Sequence, residues 1–493
     1  MFGELSFPLW LRASHFLTIV FISLLIRSGL EILSAGPRLF MNDDCRPGSE
    51  WLTLSRRRLP KEGLWTSTDM EEEWSSWVAL PGGSRLGLGR HWHFLAVLGW
   101  IATGAVYIVL LFISAEWHRL IPTSLDIFPQ AARDLGIYLT LRVPAEGSAY
   151  NALQQLTYFG IVFIVSPLQI ATGAAMSPAI DARFPRFVRL FGGRQRARSL
   201  HFVLLVVFCL FIFMHTFMVV VHGLGFGLGR IVLGTNDANH AGAIELAAAG
   251  VLAVITLHFA ATAVSKRRPR DTRRLTGAII GIPERLMSRV LRPSARALTT
   301  PVSPYHWING RPPVDATYQH HVDTGFHDWT LSVAGLVEAP IDLGLDELRA
   351  MPPYARRSLH HCIQGWSSVA DWRGVLVADV LRRCRPLPEA RYAVFRGMDD
   401  KAQTDHQGEG FFFEAVRLDV LATADAFLAY EMNGAPLPIE YGAPLRLRLE
   451  NQLGFKMVKW VCRIELVAEV RTLGDGGGGW REDHQQFESA VAI

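Results

Sequence analysis

The stretch RSLHFVLLVVFCLFIFMHTFMVV, residues 198–220, decides how this chain folds, because no charged residue follows its opening arginine. As an α-helix it rises about 1.5 Å per residue, which is enough to cross the ~30 Å hydrocarbon core of a bilayer. His201 and His215 lie about 21 Å apart along such a helix and within about 40° of one face. The stretch therefore predicts a membrane-spanning helix that presents one histidine at each of two depths.

Four other runs of the 493-residue chain have the same length and apolar character, near 9–34, 92–115, 150–175 and 241–264. A helix is the structure expected for each run, because it satisfies every backbone polar group inside lipid. We predict an all-α bundle of five transmembrane spans over residues 1–264.

Three spans begin with an arginine followed by a histidine three residues later: Arg12 and His15, Arg90 and His93, and Arg198 and His201. An arginine at the interface can bind a haem propionate, and a histidine one turn deeper can ligate iron. By depth, His93 pairs with His201 for one haem, and His15 pairs with His215 for the other. His91 remains an alternative to His93, and His222 an alternative to His215. A single histidine in a span more commonly makes a structural hydrogen bond.

Lysines and arginines crowd the loops on one side of the spans, at 35–90, 176–198 and 265–275. Cytoplasmic loops carry such an excess. We therefore predict a multi-pass protein of the cell's inner membrane, with the C-terminal half in the cytoplasm; a periplasmic C-terminal half is the alternative. Membrane loops also explain the pI of about 8.8 without a nucleic-acid partner. The acidic run at 71–73 is interpreted as a solvated surface.

The pattern changes after the last span. Residues 265–300 are basic and proline-punctuated and predict a juxtamembrane linker. Short alternating segments at 328–337 and 444–450 predict strands, and 341–352 and 375–384 predict short helices. We expect a soluble α+β domain over 301–475 and a glycine-rich C-terminal tail over 476–493.

Five widely spaced cysteines with no C-x-x-C pair argue against a disulfide framework, a structural zinc site or an iron–sulfur cluster. Cys362 follows His360 and His361 directly. A cysteine beside positive charge can form a thiolate, which is a suitable ligand for a soft transition metal. The commoner alternative is an inert core cysteine.

Residues 7–225, or up to 264, resemble the membrane cytochrome b subunits of formate dehydrogenases, nickel–iron hydrogenases and thiosulfate reductases. The resemblance lies in RASH at 12–15, GRHWHF at 89–94 and the two-histidine fourth span. It implies a helical bundle with two bis-histidine b haems that exchange electrons with quinone.

Residues 303–470 resemble the molybdopterin domain of the sulfite oxidase family, in particular its bacterial methionine-sulfoxide-reductase branch. The matching segments are YHWINGRPP at 305–313, CIQGWS at 362–367, GAPLR at 442–446 and GFKMVK at 454–459. The resemblance implies that Cys362 ligates molybdenum while His360 and His361 line the approach. It also implies these contacts to the pterin cofactor: His306, Trp307, Asn309, Arg446, Met457, Val458 and Lys459.

The chain departs from that branch at three positions, which leaves the substrate open. Tyr441 replaces an asparagine, Gly397 replaces a hydroxyl residue, and His361 replaces an arginine. The resulting prediction is a membrane-bound molybdenum oxidoreductase that passes electrons between quinone and a small oxo-transfer substrate through two haems. The alternative is a non-catalytic molybdopterin-like domain that docks a separate dehydrogenase or reductase.

Overall fold

The structure is a computed structural model. It describes residues 7–58, 62–140, 142, 144, 150–221, 223–235, 241–290, 300–404, 409–423, 426–450 and 452–487, with the backbone alone at 226 and 283–290.

Five long apolar helices confirm the predicted spans, and we number them in chain order: Leu9–Ser34, Leu86–Ile113, Ala152–Ala175, Arg194–Val221 and Ala241–Arg267. The third contains a π-helical segment at Gly160–Val165. Between 6 and 22% of each span's apolar window is buried against protein. The remaining apolar surface is what a lipid bilayer would cover.

The first span packs along the second, and the third packs along the fourth. The fifth is joined to the first by polar contacts around His258. Its Nδ1 lies 2.8 Å from an Arg27 guanidinium nitrogen, and its Nε2 lies 2.9 Å from the Ser23 hydroxyl. His258 is thus a hydrogen-bonding residue between two spans.

Shorter helices connect the spans, and one long helix follows them: Ile127–Leu139, Pro178–Arg183, Pro185–Leu190, Leu224–Leu228 and Pro269–Val290. The last one lies where the sequence predicted a linker. It packs on the second span, where the Thr276 hydroxyl lies 2.9 Å from His91 Nδ1. His91 therefore faces this helix.

Among its described residues, the soluble domain contains two five-stranded sheets. The first contains β5 (Tyr354–His361), β6 (Ser367–Leu376), β9 (Ala426–Met432), β10 (Ala435–Pro436) and β11 (Arg446–Leu449). The second contains β3 (Thr330–Gly335), β4 (Ile341–Gly344), β7 (Tyr392–Asp400), β8 (Phe411–Arg417) and β12 (Val461–Val467). The pairing of β12 with β3 is parallel and the other pairings are antiparallel. In the loop between the first two spans, β1 (Arg38–Leu39) pairs with β2 (Leu52–Thr53).

The predicted strands at 328–337 and 444–450 are present as β3 and β11, and the α+β class is confirmed. The predicted helix at 341–352 was wrong in its first half, which forms β4 because it pairs with β3. The short helices of this domain are Ala316–Asp323, Leu345–Ala350, Val377–Cys384, Lys401–Thr404, Leu418–Leu421 and Trp480–His484.

Residues 479–487, which the sequence assigned to a tail, are folded onto the soluble domain. Gly479 bridges to Glu414 of β8, and the Lys456 ammonium lies between the carboxylates of Glu414 and Glu482. The Phe487 ring packs 5.0 Å from Phe455.

Candidate molybdenum and haem sites

Cys362 lies in the turn that joins β5 to β6. Its amide donates to Trp366 O at 3.0 Å, and its carbonyl accepts from Gly365 N at 3.1 Å. The turn requires a φ of +97° at Gly365, and a Cβ there would lie 3.3 Å from the Arg198 guanidinium carbon. Glycine allows both the backbone conformation and the close approach.

Cys362 is 4% exposed, and its sulfur makes two hydrogen bonds to other described residues. Asn309 Nδ2 donates to it at 3.5 Å, and it donates to Gln364 Oε1 at 3.3 Å. Burial raises the pKa of the thiol to about 12, so a bound metal cation would have to displace the proton.

Two of the predicted histidines lie together behind Cys362. The rings of His306 and His360 are 5.7 Å apart, and both lie beside the Trp366 indole. Burial, and then the charges of Arg446 and Arg448, lowers the pKa of each histidine well below its ordinary value. Both are therefore neutral hydrogen-bonding groups at neutral pH.

Buried cations lie beside these histidines. Arg446 NH1 donates to Tyr441 O at 3.2 Å, and its Nε has no hydrogen-bond partner within the described part of the chain. Burial, and then repulsion from Arg448, lowers the pKa of Arg446 to about 9. Lys459 Nζ donates to Gly310 O and Glu440 O at 3.2 and 3.0 Å. A buried cation with an unused donor suits an anionic group, and the pterin phosphate fits this requirement.

Arg448 was missed by sequence reasoning, although it alternates with Arg446 along β11. Its guanidinium binds Glu450 at 2.8 Å and the Ser358 hydroxyl at 2.9 Å, and it lies 3.3 Å from His360 Nδ1. Tyr441, one of the departures from the family pattern, donates its hydroxyl to His306 O at 2.7 Å. These contacts position His306 and His360.

Other predicted contact residues are engaged elsewhere. Trp307 Nε1 donates to Cys45 O at 2.9 Å. The amides of Met457 and Val458 donate to Gly454 O and Lys456 O at 3.1 and 3.2 Å. Their role toward the pterin stays a prediction.

His361 contacts the membrane half. Its Nδ1 lies 2.7 Å from Arg194 NH1 of the fourth span, and Arg194 NH1 also donates to the Ser367 hydroxyl. Next to it, Gln195 Nε2 donates to Gly365 O at 2.7 Å. The first turn of the fourth span thus binds both sides of the Cys362 turn, which no spacing in the sequence indicated.

The loop between the first two spans, residues 35–85, also reaches Cys362. Gln364 Nε2 donates to Glu71 Oε1 at 2.7 Å and to Ser67 O at 3.0 Å. The interpretation of 71–73 as a solvated surface was wrong for Glu71, which is buried. The acidic run in the sequence did not indicate that Glu71 is buried. Its burial results from the packing of this loop on the soluble domain.

The haem-ligand candidates face each other between spans. The His15 and His215 rings are 6.2 Å apart. His93 Nδ1 lies 3.1 Å from the Ser28 hydroxyl, and His201 Nδ1 lies 3.1 Å from Gln169 O. A Cβ on Gly29 would lie 3.5 Å from His93, and one on Gly173 would lie 3.2 Å from His201. His222 lies outside the described residues.

The arginines assigned to haem propionates have protein neighbours. Arg12 donates to Val232 O at 2.7 Å, and Arg198 donates to the carbonyls of Gly36 and Arg38. Arg90 lies 5.7 Å from the Phe94 ring centre. Their role toward haem stays a prediction.

Two family descriptions match the chain. Residues 6–233 match prokaryotic cytochrome b561, and residues 318–472 match the oxidoreductase molybdopterin-binding domain. Both predicted resemblances are confirmed: a cytochrome b segment of the membrane is joined to a molybdopterin-binding oxidoreductase domain.

Named relatives match the second part. The catalytic subunit MsrP of a protein-methionine-sulfoxide reductase from Ralstonia nicotianae is 35% identical over 146 residues, which cover 29% of this chain and 44% of the relative. Its counterpart from Xanthomonas axonopodis pv. citri is 34% identical over 147 residues, covering 29% and 46%. The chain thus spans under half the length of these curated relatives.

Among solved structures, the sulfane dehydrogenase SoxCD from Paracoccus pantotrophus is 22% identical, covers 32% of this chain and 40% of its own, and has a TM-score of 0.27.

Proposed function

We propose that this cytochrome b561 segment, joined to its oxidoreductase molybdopterin-binding domain, is a membrane-bound reductase. In it, electrons from quinol pass through two b haems to molybdenum at Cys362 and reduce a sulfoxide. The reaction consumes two electrons and two protons, breaks the S=O bond, and releases a sulfide and water. The sulfoxide is proposed because the relatives are named as protein-methionine-sulfoxide reductases.

The observation that carries this proposal is the contact between the fourth span and the Cys362 turn. Arg194 and Gln195 bond to residues on either side of Cys362, and His201 lies two turns further along the same helix. A haem at His93 and His201 would therefore lie at the end of the bundle that faces Cys362. His15 and His215 would hold the second haem at the far depth, nearer the opposite surface.

When bound, molybdenum would supply the two-electron oxo transfer, and the bis-histidine haems would relay single electrons. The chain's own groups have binding roles. Cys362 would hold the metal, with Asn309 donating to its sulfur. Arg446 and Lys459 would hold the anionic pterin, and neutral His306 would offer a hydrogen bond without adding positive charge.

The test is metal analysis of the detergent-solubilised chain, combined with a reduced-minus-oxidised spectrum. We expect one molybdenum and two haems per chain, and reoxidation of the dithionite-reduced haems by methionine sulfoxide. Haem without molybdenum would favour the docking-module alternative. Molybdenum with haems that no sulfoxide reoxidises would overturn the proposed reaction.

We further propose that the soluble domain faces the cytoplasm, because basic residues crowd the three segments on its side of the membrane. Cys45 is a poor probe of this orientation because it is buried. Asn42 is exposed in the same loop, so we expect an Asn42→Cys chain to resist an impermeant maleimide in intact cells and to react after lysis. Labelling in intact cells would place the domain outside.

A further inference from the structure

The residues 35–85, called here the first loop, form a cover over the Cys362 turn. Phe40, Cys45 and Met70 of this loop belong to one apolar cluster with Cys362 and Trp366. The cover is close, since a Cβ on Gly36 would lie 2.4 Å from Gln364 O.

Hydrogen bonds join the first loop to residues 307–311 of the soluble domain. Ser67 N donates to Ile308 O at 2.7 Å, and Arg311 binds the Asp69 carboxylate at 2.9 Å. The Trp307 indole and the Gln364 amide add bonds to Cys45 O and Ser67 O. A group that displaced the loop would have to break this set together.

A cavity of about 830 Å³ opens between the first loop and the soluble domain. Its walls include Thr68, Asp69 and Glu71 of the loop and Arg311 and Val314 of the domain. Glu71 connects the cavity wall to Cys362 through Gln364. Its carboxylate accepts a hydrogen bond from Gln364 Nε2 at 2.7 Å, and Gln364 Oε1 lies 3.3 Å from the Cys362 sulfur. The cavity wall is thus two hydrogen bonds from the proposed metal ligand.

The size and charge of this cavity limit what can use it. Small-molecule sites commonly measure about 300–1,000 Å³, and this cavity lies within that range. Its lining carries both signs: Arg311 and Asp69 are paired with each other, and Arg57, Glu71 and Glu73 add further charges. A residue within a polypeptide would bring its flanking backbone under the fastened loop, whereas a free amino acid would not.

We infer that the substrate of the Cys362 site is a small zwitterionic sulfoxide, of the size of a free amino acid, that enters through this cavity. This inference rests on the proposed function and narrows it to sulfoxides that are not carried in a polypeptide. Quinol gives up two electrons and two protons to become quinone, and the sulfoxide takes up two electrons and two protons to give the sulfide and water.

The first experiment measures binding and needs no turnover. Val314→Cys places a thiol at the exposed rim of the cavity, and Ala422→Cys places one at an exposed position outside its lining. We expect free methionine sulfoxide to slow N-ethylmaleimide labelling at 314 and not at 422, after subtraction of the parent chain's labelling. Equal labelling with and without the sulfoxide would overturn the cavity as the binding site.

The second experiment compares kcat/KM for free methionine sulfoxide, its neutral N-acetyl methyl ester and a methionine-sulfoxide-containing polypeptide. We expect the free amino acid to be favoured over the polypeptide by about 100-fold and over the ester by about 10-fold, as for a lost charged contact. Glu71→Gln should raise KM for the free amino acid more than it lowers kcat. Polypeptide turnover as efficient as that of the free sulfoxide would overturn the inference and leave the proposed function standing.

The two proposals fail in different ways. A chain without molybdenum that reduces no sulfoxide overturns the proposed function. The labelling experiment requires no metal, so it still decides whether the cavity binds a zwitterionic sulfoxide.

Discussion

The candidate haem sites and the Cys362 site are built in different ways. Each haem-ligand candidate depends on the phase of one helix and on a partner across the bundle, as in the 6.2 Å contact between His15 and His215. Cys362 instead lies where a β-turn, the first loop and the start of the fourth span meet. Residue spacing along single helices is therefore enough to predict the haem-ligand candidates. The surroundings of Cys362 come from three distant segments and can be known only from the whole fold.

The largest expected effect is a complete loss of sulfoxide reduction with no change in the haems of the membrane half. Cys362→Ser removes the thiolate, so sulfoxide-dependent haem reoxidation should fall to background while the haem spectrum is unchanged. Cys384→Ser is the matched control, because Cys384 is also buried and its thiol donates to Leu381 O within its own helix. Substantial turnover in the Cys362 variant would remove the molybdenum assignment.

The converse change acts on the membrane half. His201→Ala should remove one of two haems, so the reduced α-band absorbance should fall by about half while molybdenum content stays the same. His258→Ala is the control, since that ring is already bonded to Arg27 and Ser23. A full haem spectrum in the His201 variant would contradict the predicted ligand pairing.

A smaller effect is expected where the regions meet. Arg194→Gln would remove donors to His361, Ser367 and Met176 O. Because hydrogen bonds from charged donors contribute about 1.5–3 kcal/mol each, the apparent Tm should fall by roughly 5 °C or more. Haem and molybdenum should remain while haem reoxidation slows. The neighbouring exposed Arg196→Gln should do neither, and equal effects of the two would argue against the junction.

The smallest effect is a pH dependence confined to the soluble domain. The pKa of His306 is held well below its ordinary value by burial, so the folded state excludes a proton that the unfolded chain accepts near pH 6.5. The contribution of His306 to stability should be full above that pH, and its loss should cost about 1.4 kcal/mol per pH unit below it. Thermal unfolding from pH 8 to 5 should show a shallower fall in His306→Asn than in the exposed His327→Asn. Parallel curves would mean that His306 is not the group responsible.

The sequence predicted the five spans and the α+β class because both follow from periodicity. It also identified CIQGWS and GAPLR as a molybdopterin signature, and the structure brings Cys362, His306, His360 and Arg446 close together. It missed Glu71, because nothing in an acidic run indicates that one of its carboxylates will accept a hydrogen bond from a distant glutamine. The sequence analysis placed His361 along the approach to molybdenum, whereas in the structure its ring contacts Arg194 of the fourth span.

The sequence by itself thus determined which segments enter the membrane and which residue types are available for iron and molybdenum. Hydrophobicity and helical period act within one segment, so they can be read locally. Only the tertiary structure decided that the first loop covers Cys362 and that the fourth span binds its turn. Those contacts join residues more than 150 positions apart, and their energy depends on burial that no single segment provides.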